Sequence, residues 1–103
     1  MANNYRCRFG ELDAIMTDGE RLIIVEIRYR RSPAFGGALG SISAAKRARI
    51  CRTTQHFVQA YPRWREAPIR FDVVALTGRL QQPELHWIAG AFTMQDLYRR
   101  PTH

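Results

Sequence analysis

No run of apolar residues in this 103-residue chain approaches the roughly 20 needed to cross a bilayer, and its first residues lack the basic and apolar regions of a signal peptide. A cytoplasmic protein with no membrane partner is expected. Cysteine is scarce: Cys7 and Cys51 are the only two, with no Cys-x-x-Cys pair and no histidine at ligand spacing. A zinc site is therefore not indicated, and both are read as free thiols filling the core. The three histidines, His56, His86 and His103, carry no catalytic pattern. The seven glycines form neither a phosphate-binding loop nor a nucleophile elbow, which argues against nucleotide hydrolysis and serine chemistry. Acids are few as well. Nine Asp and Glu against sixteen Lys and Arg leave a formal charge of +7, which favours a polyanionic partner such as nucleic acid.

What is present is compatible with one compact domain over residues 1–103, since 46% hydrophobic content suffices for a modest core. The few acids are concentrated where they carry information. Gly10-Glu11-Leu12-Asp13 precedes Thr17-Asp18-Gly19-Glu20, and Val25-Glu26-Ile27-Arg28 follows it. An Asp-Gly pair between apolar runs predicts a tight hairpin. With Asp18 and Gly19 as the turn, Ile15 faces Leu22, Asp13 faces Ile24, Glu11 faces Glu26 and Phe9 faces Arg28. Side chains alternate along a strand, so Glu11, Asp13, Glu26 and Arg28 are expected on one face. Opposed and diagonal neighbours about 5 to 8 Å apart bring Glu26 within reach of both other acids. Such carboxylates repel one another unless a cation such as Mg²⁺ or Mn²⁺ joins them. The alternative is an ordinary structural ion pair of Glu26 with Arg28 or Arg30. Because the spacing of side chains is two, a slip of one residue would separate Glu26 from Asp13.

Leu22-Ile23-Ile24-Val25 reads as a strand covered on both faces. Residues 30–40, containing Arg30, Arg31, Pro33, Phe35 and the glycines Gly36, Gly37 and Gly40, read as a loop with basic residues at its entry and Phe35 as an anchor. Ser43 is predicted to cap a helix whose apolar positions are Ile50, Cys51, Thr54, Phe57, Val58 and Tyr61, stopped by Pro62. Lys46, Arg47, Arg49 and Arg52 lie near its start, mostly off that stripe and with no acid nearby in sequence, so a phosphate backbone is their expected partner. Arg70 to Leu76 and Glu84 to Ile88 read as further strands, and Thr93 as the cap of a short helix through Tyr98. The order strand, strand, helix, strand implies a parallel neighbour and hence a mixed sheet. Asp72 either extends the acid cluster or pairs with Arg70.

Taken in order, Asn4-Tyr5-Arg6-Cys7-Arg8-Phe9-Gly10-Glu11-Leu12-Asp13, Val25-Glu26-Ile27-Arg28-Tyr29-Arg30, Phe35-Gly36-Gly37, Ser41-Ile42-Ser43 with Lys46, and Arg70-Phe71-Asp72-Val73-Val74 resemble the YraN-type family, uncharacterised protein family 0102. The resemblance implies an α/β (α+β) restriction-endonuclease-like core, similar to Holliday-junction resolvases, without the family's N-terminal helix. It further implies a metal-dependent DNA nuclease in which Asp13 and Glu26 hold Mg²⁺ or Mn²⁺, with Glu11 beside them. Arg28 stands where the Asp…Glu-x-Lys pattern expects lysine; it keeps a positive charge but cannot become a neutral base. The proteins compatible with these residues are a nuclease, an inactive nucleic-acid-binding module and a structural partner subunit. A homodimer is expected to cover apolar surface left by the missing helix.

Overall fold

The apolar run Leu22 to Val25 does occupy the middle of a sheet, flanked on both sides by other strands. The computed structural model describes residues 2–30, 42–79 and 81–97. Strands β1 (Ala2–Cys7), β2 (Gly10–Asp18) and β3 (Arg21–Arg30) precede helix α1 (Ala44–Ala60). A 3₁₀ turn at Pro62–Trp64, strands β4 (Ile69–Thr77) and β5 (Glu84–Phe92) and a second 3₁₀ turn at Met94–Leu97 complete the order. The five strands lie side by side in chain order. Only β3 and β4 run parallel, as required of two strands joined through a helical crossover, so the sheet is mixed. This α+β arrangement is compatible with a restriction-endonuclease-like core. Arg31, Phe35 and the rest of the predicted loop lie outside the described residues, as does the side chain of Arg30.

Helix α1 starts where its cap predicts: Ser43 Oγ accepts the Lys46 backbone N–H at 3.1 Å. It ends before Pro62, which cannot continue a helix. Ile50, Cys51 and Phe57 bury against Leu12, Ile15, Ile24, Phe71 and Val73 of the sheet. The buried face departs from the predicted stripe at two positions. Tyr61 lies just beyond the helix and is half exposed, while the unpredicted Thr53 is fully buried because its hydroxyl donates to the Arg49 carbonyl at 2.8 Å. The other face of the sheet carries Ile23, Val25 and Val74, with Ala14 and Leu76 against them.

The hairpin turn is Gly19-Glu20, not Asp18-Gly19. Asp18 pairs with Arg21, Thr17 with Leu22, Ile15 with Ile24 and Ala14 with Val25. Gly19 supplies the positive φ of 63° at the first central position, as a II′ turn demands. Relative to the expected register every partner moves by two residues, which preserves the facing of side chains. The expected pairs Glu11 with Glu26 and Phe9 with Arg28 do not form. The chain instead reverses at Arg8-Phe9, and Glu11 lies opposite Arg6 of β1.

Asp13 sits at a break in two ladders. The β2–β3 pairing stops at Ala14↔Val25, and the β1–β2 pairing passes from Asn3↔Ala14 to Tyr5↔Leu12, with Asn4 at φ 58° between them. Leu12 and Ile15 both enter the core on the α1 side, although an odd separation would place them on opposite faces of an unbroken strand. β2 therefore changes face beside Asp13.

Candidate active site

Asp13 owes its position to that interruption. Its Oδ2 accepts the backbone N–H of Ile27 at 2.8 Å, so a side chain takes the place of the missing ladder bond and pins the carboxyl to the start of Glu26-Ile27. Glu26 stands at the end of the buried run of β3, opposite Val73 of β4, and only 7% of its side chain is exposed. Burial pushes its carboxyl above the ordinary carboxylate range; the adjacent Lys46 opposes that shift and the nearby Asp13 carboxyl adds to it. The two acids singled out in the sequence are thus neighbours in space.

Lys46, in the first turn of α1, places its Nζ 3.1 Å from Glu26 Oε1. Although no acid lies near the helix cations in sequence, Lys46 has one in space: its partner comes from β3, which sequence proximity could not reveal. Asp13, Glu26, Lys46 and Arg49, with Gly10, Glu11, Ile50 and Thr53, line one open cavity of about 180 Å³. One wall carries acids from β2 and β3; the other carries the cations Lys46 and Arg49 of α1, which favour an anion. Gly10 lets the walls approach: a Cβ there would stand 3.2 Å from Thr53 Oγ1, on a backbone with φ 152°.

Glu11 borders the same cavity, but its carboxyl accepts Arg6 Nε at 2.8 Å and is 39% exposed. Arg28 lies opposite Ala75 in β4, two residues beyond Glu26 and on the same face of β3. Among the described residues no group of three or more His, Cys, Asp and Glu is arranged to hold a metal ion. Arg47 turns towards the core, its guanidinium 6.0 Å from the centre of the Phe92 ring. Arg52 is exposed. Asp72 lies elsewhere: its buried carboxylate takes both Arg70 Nε at 2.8 Å and Nη2 at 2.9 Å, Trp87 Nε1 at 2.7 Å and Gly90 N at 3.0 Å. It is structural, one of the two roles left open by sequence. His56 Nδ1 is held at 2.6 Å from the Tyr5 hydroxyl. Cys7 and Cys51 are free thiols, Cys51 within the core.

Lys46 and Arg49, expected as phosphate contacts, also border the cavity of the acids, which sequence reasoning did not foresee. A signal was available for Lys46. A lysine in the first turn opposes the helix dipole, and that turn contains no acid to offset it.

A mixed sheet carrying an Asp and a Glu on adjoining strands, faced by cations from the crossover helix, defines an α+β protein with a bipolar surface cavity. The chain belongs to the uncharacterised protein family UPF0102, whose model matches residues 1–76. It is 47% identical over 92 residues to a UPF0102 protein of Stutzerimonas stutzeri, covering 89% of this chain and 77% of that one. A UPF0102 protein of Pseudomonas entomophila is 48% identical over 94 residues, covering 89% and 76%. One from Nitrosococcus oceani is 42% identical over 93 residues, covering 90% and 75%. No helix among the described residues is long and apolar enough to cross a membrane.

Proposed function

We propose that this protein is a metal-dependent nuclease that hydrolyses phosphodiester bonds in DNA. The observation that supports this reading is the cavity with an acidic and a cationic wall, because a metal-bound phosphate needs both. The donor set fits Mg²⁺ or Mn²⁺. Two carboxylates are a sufficient protein contribution for such an ion, which keeps several waters and takes substrate phosphate oxygens. Glu26, raised by burial and by Asp13, is the kind of crowded carboxyl that a cation relieves. Asp13 and Glu26 would hold the ion, with Glu11 available to its waters if it leaves Arg6. When bound, the metal supplies an activated water and neutralises charge developing on the phosphate.

The chain's own residues supply position. The Ile27 N–H fixes the Asp13 carboxyl, and the packing of β3 between β2 and β4 fixes Glu26. Lys46 and Arg49 offer charged donors to the phosphate oxygens. Arg47 contributes less because it faces Phe92. Net charge of +7 draws the duplex to the protein, and binding should weaken as salt rises. A homodimer, paired through the second face of the sheet, suits a two-stranded substrate.

A second reading, a binding module without the reaction, is favoured by Arg28, which stands where the family resemblance leads one to expect lysine and cannot act as a neutral base. The deciding experiment incubates the protein with branched, linear and single-stranded DNA and Mg²⁺ or Mn²⁺, beside Asp13→Ala. Cutting that is lost in the variant supports the nuclease. Salt-sensitive binding without cutting supports the module, and neither activity overturns both in favour of a structural partner.

A further inference from the structure

We propose that Lys46 is an exchangeable cation of this site: its ammonium holds the Glu26 carboxylate while no divalent ion is bound, and transfers to a substrate phosphate oxygen when one enters. The inference rests on the nuclease reading above. Three observations carry it.

The first is occupancy. The Lys46 ammonium stands 3.1 Å from Glu26 Oε1, on the carboxyl that also meets Asp13, so it already engages a carboxylate that a metal ion would need. The second is placement. Lys46 lies in the first turn of α1, with its backbone N–H on the Ser43 hydroxyl and no acid in that turn. Helix electrostatics oppose a lysine there, so what favours it is the acid across the cavity and any anion drawn to the helix end. The third is reach. The ammonium rides on a flexible four-carbon stem and is 29% exposed, and Arg49 lines the same wall one turn further on. A short swing of the stem moves the charge from the acidic wall towards the cationic one without moving the backbone.

Charge balance gives the sequence of events. With Glu11 paired to Arg6, the Asp13 and Glu26 carboxylates and the Lys46 and Arg49 cations of the cavity sum to zero. A divalent ion would take the sum to +2 and set like charges against each other, which would favour release of the ammonium from Glu26. A phosphodiester would bring the sum back to +1, with Lys46 as its partner.

The test measures Mn²⁺ binding to the metal-free protein at pH 8 in the absence of DNA, from the electron paramagnetic resonance of free Mn²⁺. Lys46→Met should bind Mn²⁺ about tenfold more tightly than wild type, because the competing charge is gone. Lys46→Arg, which keeps that charge, should stay close to wild type. With Ca²⁺ present, Lys46→Met should bind a short DNA duplex about fivefold more weakly, by fluorescence anisotropy. A lysine serving only as a structural ion pair would lower the melting temperature on substitution without tightening Mn²⁺. Unchanged or weaker Mn²⁺ binding by Lys46→Met therefore overturns the exchange. Should that variant fail to melt cooperatively, Lys46→Gln carries the same comparison. Asp13→Asn separates the two levels: if it leaves wild-type Mn²⁺ binding intact, the metal-centre reading itself fails, whereas loss of binding there with no gain in Lys46→Met removes only the exchange.

Discussion

Asp72 and Glu26 are both buried acids on adjacent strands, and their surroundings drive them in opposite directions. For Asp72, burial alone would raise the carboxyl, but hydrogen bonds from Arg70, Trp87 and Gly90 outweigh it and hold the group below the ordinary range. The acid ties β4 to the irregular stretch of β5 around Gly90, where the register shifts between Phe71 and Val73. Replacing it by alanine leaves the Trp87 indole N–H and the Gly90 amide without their acceptor; Arg70, a third open to water, is resolvated and adds less. Asp72→Ala should therefore lose about 2 to 4 kcal/mol at neutral pH in urea unfolding. The sign with pH follows from the depressed value. The contribution of Asp72 is complete above the unfolded carboxylate range and disappears as pH falls through the folded value, so the gap between wild type and variant should narrow in acid. Glu26 has no such set of donors, and its carboxyl is raised instead. Asp72 is thereby a fastening between strands, while Glu26 meets a cation and a second acid at the border of the cavity.

At the level of elements, the hairpin that presents Asp13 and Glu26 depends on Gly19. Its φ of 63° is a conformation L side chains rarely adopt, and open space around it leaves backbone strain as the whole effect of substitution. Gly19→Ala should cost about 1 kcal/mol and lower the melting temperature without altering Mn²⁺ binding. The sequence made this hairpin legible but not its turn. Asp18-Gly19 and Gly19-Glu20 both satisfy two-residue turns, and they differ by two in register, which leaves the alternation of apolar and charged positions unchanged. The facing of Asp13 and Glu26 survived for that reason. The interruption beside Asp13 was invisible, because Asn4 and Asp13 have no hydrophobic signature that marks a change of face. α1, its Ser43 cap and the parallel β3–β4 pair were legible because capping and crossover rules are local. The Lys46–Glu26 contact was not, since it joins residues 20 apart through a segment whose path the sequence leaves open.

For the whole molecule, the second face of the sheet is the feature that calls for an occupant. Met16, Ile27, Tyr29, Leu85 and Trp87 are exposed there, with Leu85 at 60% and Trp87 at 48%, around the buried Ile23, Val25 and Val74. Patches of this kind mark interaction surfaces. We propose a second copy as the partner. Two chains of charge +7 repel one another, but Lys46 and Arg49 belong to the opposite face with α1, so contact through the apolar side keeps the cationic walls apart and outward. Sedimentation should give a dimer for the wild type and a monomer for Leu85→Glu combined with Met16→Glu. A wild type that sediments as a stable monomer rules the pairing out. The apolar face and the acid cavity thus lie on opposite faces of the sheet.

The hydrogen bond from the Ile27 amide to Asp13 has a consequence for observing this protein at work. Main-chain amides within a sheet normally answer to other main-chain groups, whereas this one answers to a carboxylate at the heart of the cavity. Any ligand that draws electron density from Asp13 alters the polarisation of that single proton. The Ile27 resonance in a nitrogen–proton correlation spectrum is therefore a built-in gauge of what the cavity holds, readable without a label on the ligand and without waiting for a product.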